Sequence, residues 1–189
     1  MAVNRNRFVL KREFSRSDVK FVAWERNWRL VDLERENNGC YVDIWTTQDE
    51  QTEIHLVDDR PIGMRYLTVW GRDVGAVERE IREDCKLWSL PEALESLRQA
   101  NDRNEKLISV YAAALTAPFE ESQELLEAFR AVAHDDDAGV RQAVVIAIGH
   151  LPLPGLVEIV RERSENDPVA HVRENAKTLL EGIRLYGDE

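Results

Sequence analysis

Cysteine is scarce in this chain of 189 residues: only Cys40 and Cys85 occur, and they form no CxxC pair. The sequence therefore predicts neither a disulfide framework nor a zinc knuckle, and we expect reduced thiols. Long apolar runs are missing as well, since no stretch approaches the ~20 residues that a membrane-spanning helix needs. The start MAVNRNRFVL carries charge but no apolar segment of the kind that directs secretion. These features favour a cytoplasmic protein with no membrane partner.

The short motifs of the common enzyme classes are also missing. No phosphate-binding glycine loop, GxSxG elbow or HExxH metal helix occurs in the chain. None of the four histidines has a second histidine three or four residues further along. We therefore expect no catalytic residue, no metal and no cofactor. One alternative stays open, an undetected active site built from polar residues of the N-terminal half: Asp43, His55, Asp58 and Asp59.

Negative charge is concentrated in the second half of the chain. Residues 1–88 hold 15 Lys and Arg against 17 Asp and Glu, a net charge of −2, whereas residues 89–189 hold 10 against 19, a net charge of −9. Such a segment repels phosphate backbones, so we expect no nucleic-acid ligand there and favour a basic protein partner. The extreme N-terminus is basic instead. We interpret it as a solvated strand edge, with a phosphate-binding arm as the alternative: Arg5, Arg7, Lys11, Arg12 and Arg16.

Residues 1–88 alternate strand and helix signals in the order β-α-β-β-β-β-α. Ser15 and Asp18 form a capping box for a helix through Glu25, and Asn37-Asn38-Gly39 predicts a hairpin turn. The runs TEIHLVDD and MRYLTVWG read as further strands, and a helix over about 74–88 closes the unit. We predict a small antiparallel-sheet domain of α+β class. Its tryptophans are interpreted mainly as core residues, with ligand stacking as the alternative: Trp24, Trp28, Trp45, Trp70 and Trp88.

Residues 89–189 repeat a helical pattern with a period of about 33 residues. Leu107, Val140 and Val172 are spaced 33 and 32 residues apart, and each begins a stripe of small and apolar residues at helical spacing. An acid precedes each stripe: Asp102, Asp137 and Asp167. The pattern predicts an all-α solenoid of about three helical hairpins. First helices are expected at about 91–100, 120–133 and 154–164, and second helices at about 104–116, 138–149 and 168–184.

The stretches DAGVRQAVVIAIG and DPVAHVRENAKTLLEG resemble the second helix of HEAT repeats, in the short form found in bilin-lyase-like proteins. The matching residues are Asp137, Val140, Arg141, Ala143, Ala147, Ile148 and Gly149, then Asp167, Val172, Arg173, Ala176, Leu179 and Leu180. The resemblance covers residues 89–185, and the first repeat departs from it because Ile108 stands where the arginine belongs. It implies that the Asp and Arg residues at the turns serve helix caps and inter-repeat pairs. The N-terminal half resembles no family that we can name.

These features predict a non-catalytic interaction module or adaptor that binds a protein partner on the concave face of the solenoid. The outward positions of the second helices give a candidate strip: Arg141, Gln142, Val145, Ile146, Glu174, Lys177 and Thr178, continued in the first repeat by Ser109, Ala112 and Ala113. Within it, Val145 and Ile146 form an apolar pair with a polar rim, unless a neighbouring element covers them.

Two alternative functions stay open. An acidic immunity or inhibitor protein that neutralises a basic toxin or nuclease would agree with the negative charge. A bilin-lyase-like chromophore chaperone would agree with the type of repeat.

Overall fold

The computed structural model describes residues 7–186, and the chain divides into two compact units, Met1–Ser89 and Leu90–Glu189. In the first unit two helices accompany a five-stranded antiparallel sheet, which confirms the predicted element order and fold class. Its elements are β1 (Arg7–Val9), α1 (Arg16–Glu25), β2 (Arg29–Asn37), β3 (Cys40–Thr46), β4 (Thr52–Asp59), β5 (Met64–Gly71) and α2 (Val74–Asp84).

Local signals explain where these elements begin and turn. The capping box is present, since the Ser15 backbone N–H donates to Asp18 Oδ2 over 2.7 Å and the Asp18 N–H donates to Ser15 Oγ over 3.2 Å. Asn38 and Gly39 both adopt positive φ, 51° and 81°, and join β2 to β3 as predicted. Helix α2 ends at Asp84 rather than near Trp88, because the next residues return along the first strand and Leu87 bridges Leu10.

The strands lie in the order β1-β5-β4-β3-β2, so β1 and β2 form the two edges. Helix α1 contributes Val19, Val22 and Ala23 to the core, a spacing that keeps all three on one helical face. Helix α2 contributes Val77 and Ile81. They pack with inward side chains of the sheet, among them Trp45, Ile54, Leu56, Leu67 and Val69. The core of the first unit therefore lies on one face of the sheet.

The second unit contains three helical hairpins within the described range, as the repeat spacing predicted. The hairpins are α3 (Leu90–Gln99) with α4 (Arg103–Thr116), α5 (Gln123–Val132) with α6 (Ala138–His150), and α7 (Pro154–Asn166) with α8 (Ala170–Tyr186). The second helices lie side by side, with α6 between α4 and α8, and α6 also contacts α5 and α7. The middle helix is thus covered on most of its circumference. Across residues 7–186, no helix combines the length and the apolar character that crossing a membrane requires.

Candidate partner-binding surface

The accessible part of α6 is a narrow line of side chains. Ile146 is 36% exposed and Gly149 is exposed, whereas Gln142 is half-buried. Residues 142, 146 and 149 are spaced by four and three, so they share one helical face. Because α4, α5, α7 and α8 all pack against α6, only this face meets solvent. Ile146 is the apolar centre of the line.

Two of the predicted strip residues on α6 do not face outward. Arg141 is 5% exposed and Val145 is 1% exposed, so the prediction of an outward apolar pair is wrong. The prediction assigned nearly half of the circumference of α6 to solvent. It was wrong because α4 and α8 pack on the two sides of this helix. In the first repeat Ser109, Ala112 and Ala113 are buried too. Ser109 turns toward its own hairpin, since its Oγ lies 2.7 Å from Ser96 Oγ on α3.

Arg141 instead holds consecutive repeats together. Its Nε and Nη2 donate to the two carboxylate oxygens of Asp167 over 2.8 and 3.0 Å, and its Nη1 donates to the carbonyls of Asp135 and Asp136 over 2.8 and 3.0 Å. Asp167 is fully buried. The hydrogen bonds from Arg141 lower the pKa of Asp167 below its ordinary value, so the pair stays charged. This agrees with the inter-repeat role that the HEAT resemblance implied.

A second cation makes the same kind of contact one repeat earlier. Lys106 Nζ donates to Asp135 Oδ2 over 2.6 Å. The turns at Asp135 and Asp167 also have the same geometry. Each carboxylate accepts a hydrogen bond of 2.9 Å from the backbone N–H two residues further on. Asp135, rather than Asp137, is therefore the structural equivalent of Asp167. Asp137 caps α6 by accepting from the Gly139 N–H over 2.6 Å.

The Arg141–Asp167 pair should make the stability of the second unit depend on pH in the acid range. Because the pKa of Asp167 is lowered on folding, its contribution is complete above the unfolded pKa and disappears as the pH falls through the folded pKa. When the pH is lowered from about 5 to about 3, we expect the free energy of unfolding to fall less for Asp167→Asn than for the wild type. Urea unfolding at several pH values, followed by far-UV circular dichroism, measures this difference. Equal slopes of the free energy of unfolding against pH in the two proteins would contradict the expectation.

The predicted strip residues on α8 are exposed. Lys177 Nζ pairs with Glu174 Oε1 over 2.9 Å, and Thr178 Oγ1 donates to the Glu174 carbonyl over 3.0 Å. Both contacts lie within one helix and remain open to solvent. We define the α6–α8 strip as the accessible members of the predicted set: Gln142, Ile146, Glu174, Lys177 and Thr178.

The polar residues considered for an active site in the first unit are not brought together. The register pairs Asp43 with Leu56 and His55 with Ile44, which places Asp43 and His55 on opposite faces of the sheet. His55 Nε2 lies 3.0 Å from Glu53 Oε2, and Asp58 pairs with Arg60 over 3.5 Å. Asp59 is buried at the end of β4. In the described part of the chain, no three His, Cys, Asp or Glu side chains are grouped to hold a metal ion.

Three of the basic N-terminal residues, Arg7, Lys11 and Arg16, have partners inside the first unit. The guanidinium of Arg7 lies 5.9 Å from the Tyr66 ring centre, and Lys11 Nζ lies 5.7 Å from that of Trp88. Arg16 binds Asp43 through two hydrogen bonds. Arg5 falls outside the described residues. The interpretation as a solvated edge is therefore wrong for Arg16, which lies within the fold.

An exposed aromatic pair was missed by the sequence interpretation. Trp24 is 73% exposed, and its ring centre lies 5.8 Å from that of Phe21 on the same outward face of α1. The buried stripe of Val19, Val22 and Ala23 could have indicated this face, since Phe21 and Trp24 fall opposite it.

The prediction that the tryptophans lie in the core is correct for two of them and wrong for two others. Trp28 and Trp45 are buried, whereas Trp24 and Trp70 are exposed.

A family model for HEAT repeats matches residues 90–181, just under half of the chain. No curated protein and no solved structure gives a match. The family match covers the first two helical hairpins and the third as far as residue 181, and it confirms the resemblance inferred from the repeats. HEAT repeats generally mediate protein–protein interaction, because stacked hairpins present an extended surface. Residues 90–181 are a HEAT-repeat segment.

Proposed function

We propose that this chain is a non-catalytic interaction module that binds a protein partner through the α6–α8 strip, on the face that we expect to be concave. The observation that carries the proposal is the HEAT-repeat segment at residues 90–181, since binding of proteins is what such repeats generally do. The exposure of Ile146 in the middle repeat supports this choice of face.

The chemistry of the strip suits a small protein contact. Ile146 is an apolar side chain that a partner can cover, and Gln142, Lys177 and Thr178 supply polar groups around it. The exposed ion pair between Glu174 and Lys177 contributes little to folding, so a partner can replace it at low cost. Binding energy would then be concentrated on Ile146, as in other interfaces with few dominant residues.

Replacing Ile146 with aspartate tests the proposal. We expect Ile146→Asp to lose the partner in pull-downs from the native lysate, read by mass spectrometry, because a carboxylate would be buried in the contact. Its free energy of unfolding should fall by less than about 2 kcal/mol, since the side chain is already partly exposed.

Leu185→Asp provides the matched control, because Leu185 is also an exposed apolar residue of this unit but lies outside the strip. This variant should capture the same partner as the wild type. Equal loss of the partner by both variants, or unfolding of Ile146→Asp, would contradict the proposed site.

The negative charge favours a second candidate, an inhibitor that neutralises a basic enzyme such as a toxin or nuclease. Residues 89–189 carry a net charge of −9, which would accelerate association with a positively charged protein. An inhibitor should bind one-to-one and very tightly, with an association rate that falls steeply as salt rises. An adaptor should instead form micromolar, salt-tolerant contacts. Binding kinetics of the captured partner at two salt concentrations separate the two.

A further inference from the structure

One side of α8 is the counterpart of the face that α6 turns toward the third hairpin. Arg141, Val145 and Ile148 share a face of α6, since they are spaced by four and three, and all of them are buried. Arg141 places this face against the third hairpin, because it binds Asp167 there. The residues 32 positions later are Arg173, Lys177 and Leu180. Together with Arg184, one turn further along, they form what we call the α8 flank.

The α8 flank is accessible and basic. Lys177 and Arg184 are exposed, and Arg173 and Leu180 are half-buried. All the charged residues of the flank are cations, although residues 89–189 as a whole carry a net charge of −9. Lys177 is paired with Glu174 on the same helix, whereas no carboxylate of the described chain forms an ion pair with Arg173 or Arg184. The flank therefore has two arginines available to a carboxylate from another molecule.

Arg173 is anchored in the same way as Arg141. Each donates from Nη1 to the backbone carbonyl six residues earlier, Arg141 to Asp135 over 2.8 Å and Arg173 to Asp167 over 2.6 Å. The Nε and Nη2 of Arg141 bind the two carboxylate oxygens of Asp167 over 2.8 and 3.0 Å. The same two nitrogens of Arg173 have no hydrogen-bond partner among residues 7–186. This leaves two donors on one edge of a planar group, which matches a single carboxylate.

We infer that the α8 flank is a docking site for an acidic segment of a protein partner, with an aspartate or glutamate side chain bound to Arg173 as Asp167 is bound to Arg141. Charge complementarity selects this occupant, because the flank is basic on an acidic unit. Salt screens charges beyond about 8–10 Å, so the nearby cations outweigh the more distant acids at the contact. The inference rests on the proposed function only in taking a protein as the partner, and the α8 flank shares only Lys177 with the α6–α8 strip.

Titration of the full isotope-labelled chain with an acetylated hexaaspartate peptide, followed by NMR at the arginine Nε–H signals, tests the inference. The Arg173 signal, identified by its loss in Arg173→Lys, should shift in a saturable way, because a bound carboxylate accepts from Nε. Arg173→Lys and Arg184→Gln should each raise the dissociation constant about twofold to fivefold, the range that exposed ion pairs contribute. The dissociation constant is read in each variant at the arginine of the flank that remains. Lysine keeps the charge but cannot make two parallel hydrogen bonds.

Arg130→Gln is the matched control, since Arg130 is also exposed and forms no ion pair with a described carboxylate, but lies on α5. It should leave the dissociation constant unchanged. An equal rise for Arg130→Gln and Arg184→Gln, or no saturable shift of Arg173, would overturn the inference. Inorganic phosphate at the same concentration should shift Arg173 less, and an equal shift would show a general anion site instead of a protein-docking site.

The α8 flank and the α6–α8 strip can be tested separately. Ile146→Asp should bind hexaaspartate within about twofold of the wild type, because it adds only a charge outside the flank. Loss of the lysate partner by Ile146→Asp with peptide binding retained would support both sites. Retention of the lysate partner with peptide binding retained would contradict the strip and still support the flank.

Discussion

Arg141→Ala is expected to lower the free energy of unfolding of the second unit by about 3–5 kcal/mol. The substitution leaves the Asp167 carboxylate, which is fully buried, without the guanidinium that binds both of its oxygens. It also removes the donor to the carbonyls of Asp135 and Asp136. Arg163 stays within ion-pair distance, its Nη1 3.8 Å from Asp167 Oδ2, but at that distance it makes no hydrogen bond to the carboxylate. Far-UV circular dichroism during urea unfolding follows this unit, which contains most of the helical residues in the described chain.

The same substitution separates two roles for Arg141. A residue that only contacts a partner would lose binding while stability stayed constant. Lys177→Ala is the control on the neighbouring helix, because its ion pair with Glu174 is exposed, and it should change stability by less than about 0.5 kcal/mol. A loss below about 1 kcal/mol for Arg141→Ala would show that the buried pair contributes little to stability.

Elements that depend on neighbouring residues could be predicted from the sequence. The capping box at Ser15 and Asp18 and the turn at Asn38 and Gly39 each depend on a few adjacent positions, and the second helices follow from a helical pattern that recurs about every 33 residues. The structure agrees with all three. Such signals determine where an element starts and turns, which is why the element order and the fold class were correct.

Burial on α6 could not be predicted in the same way, since it depends on how many other helices surround the helix. Val145 and Ile146 are consecutive and chemically alike, but one is 1% and the other 36% exposed. The sequence pattern indicates one apolar face per helix. Helix α6, the middle of the three second helices, is packed against neighbouring helices on both sides. The choice of Asp137 over Asp135 failed for a related reason. Both acids precede the same helix, and contacts made only in the folded chain separate them, since Asp135 binds Lys106 and Asp137 caps α6.

The first unit has a comparable dependence on one arginine, and Arg16→Ala is expected to lower its free energy of unfolding by about 3–5 kcal/mol. Asp43 is almost completely buried in β3, where Arg16 Nε donates to its Oδ2 over 2.6 Å and Arg16 Nη2 donates to its Oδ1. The Glu34 N–H also donates to Oδ1, over 2.9 Å, at a point where β2 has a register irregularity and Glu34 has a φ of 57°. Arg16 therefore links the start of α1 to two strands through a single carboxylate.

Without Arg16, Asp43 would have to remain as a buried charge with one backbone donor or bind a proton, and either outcome disfavours the folded state. Tryptophan fluorescence measures this unit selectively, because all five tryptophans lie between residues 24 and 88. Arg16→Lys should recover only part of the loss, since an ammonium cannot reproduce the two parallel hydrogen bonds of the guanidinium. Arg12→Ala, at a nearby exposed position, should leave unfolding unchanged. If Arg16→Ala unfolded like the wild type and instead lost affinity for inorganic phosphate, the basic N-terminus would be a phosphate-binding arm rather than part of the fold.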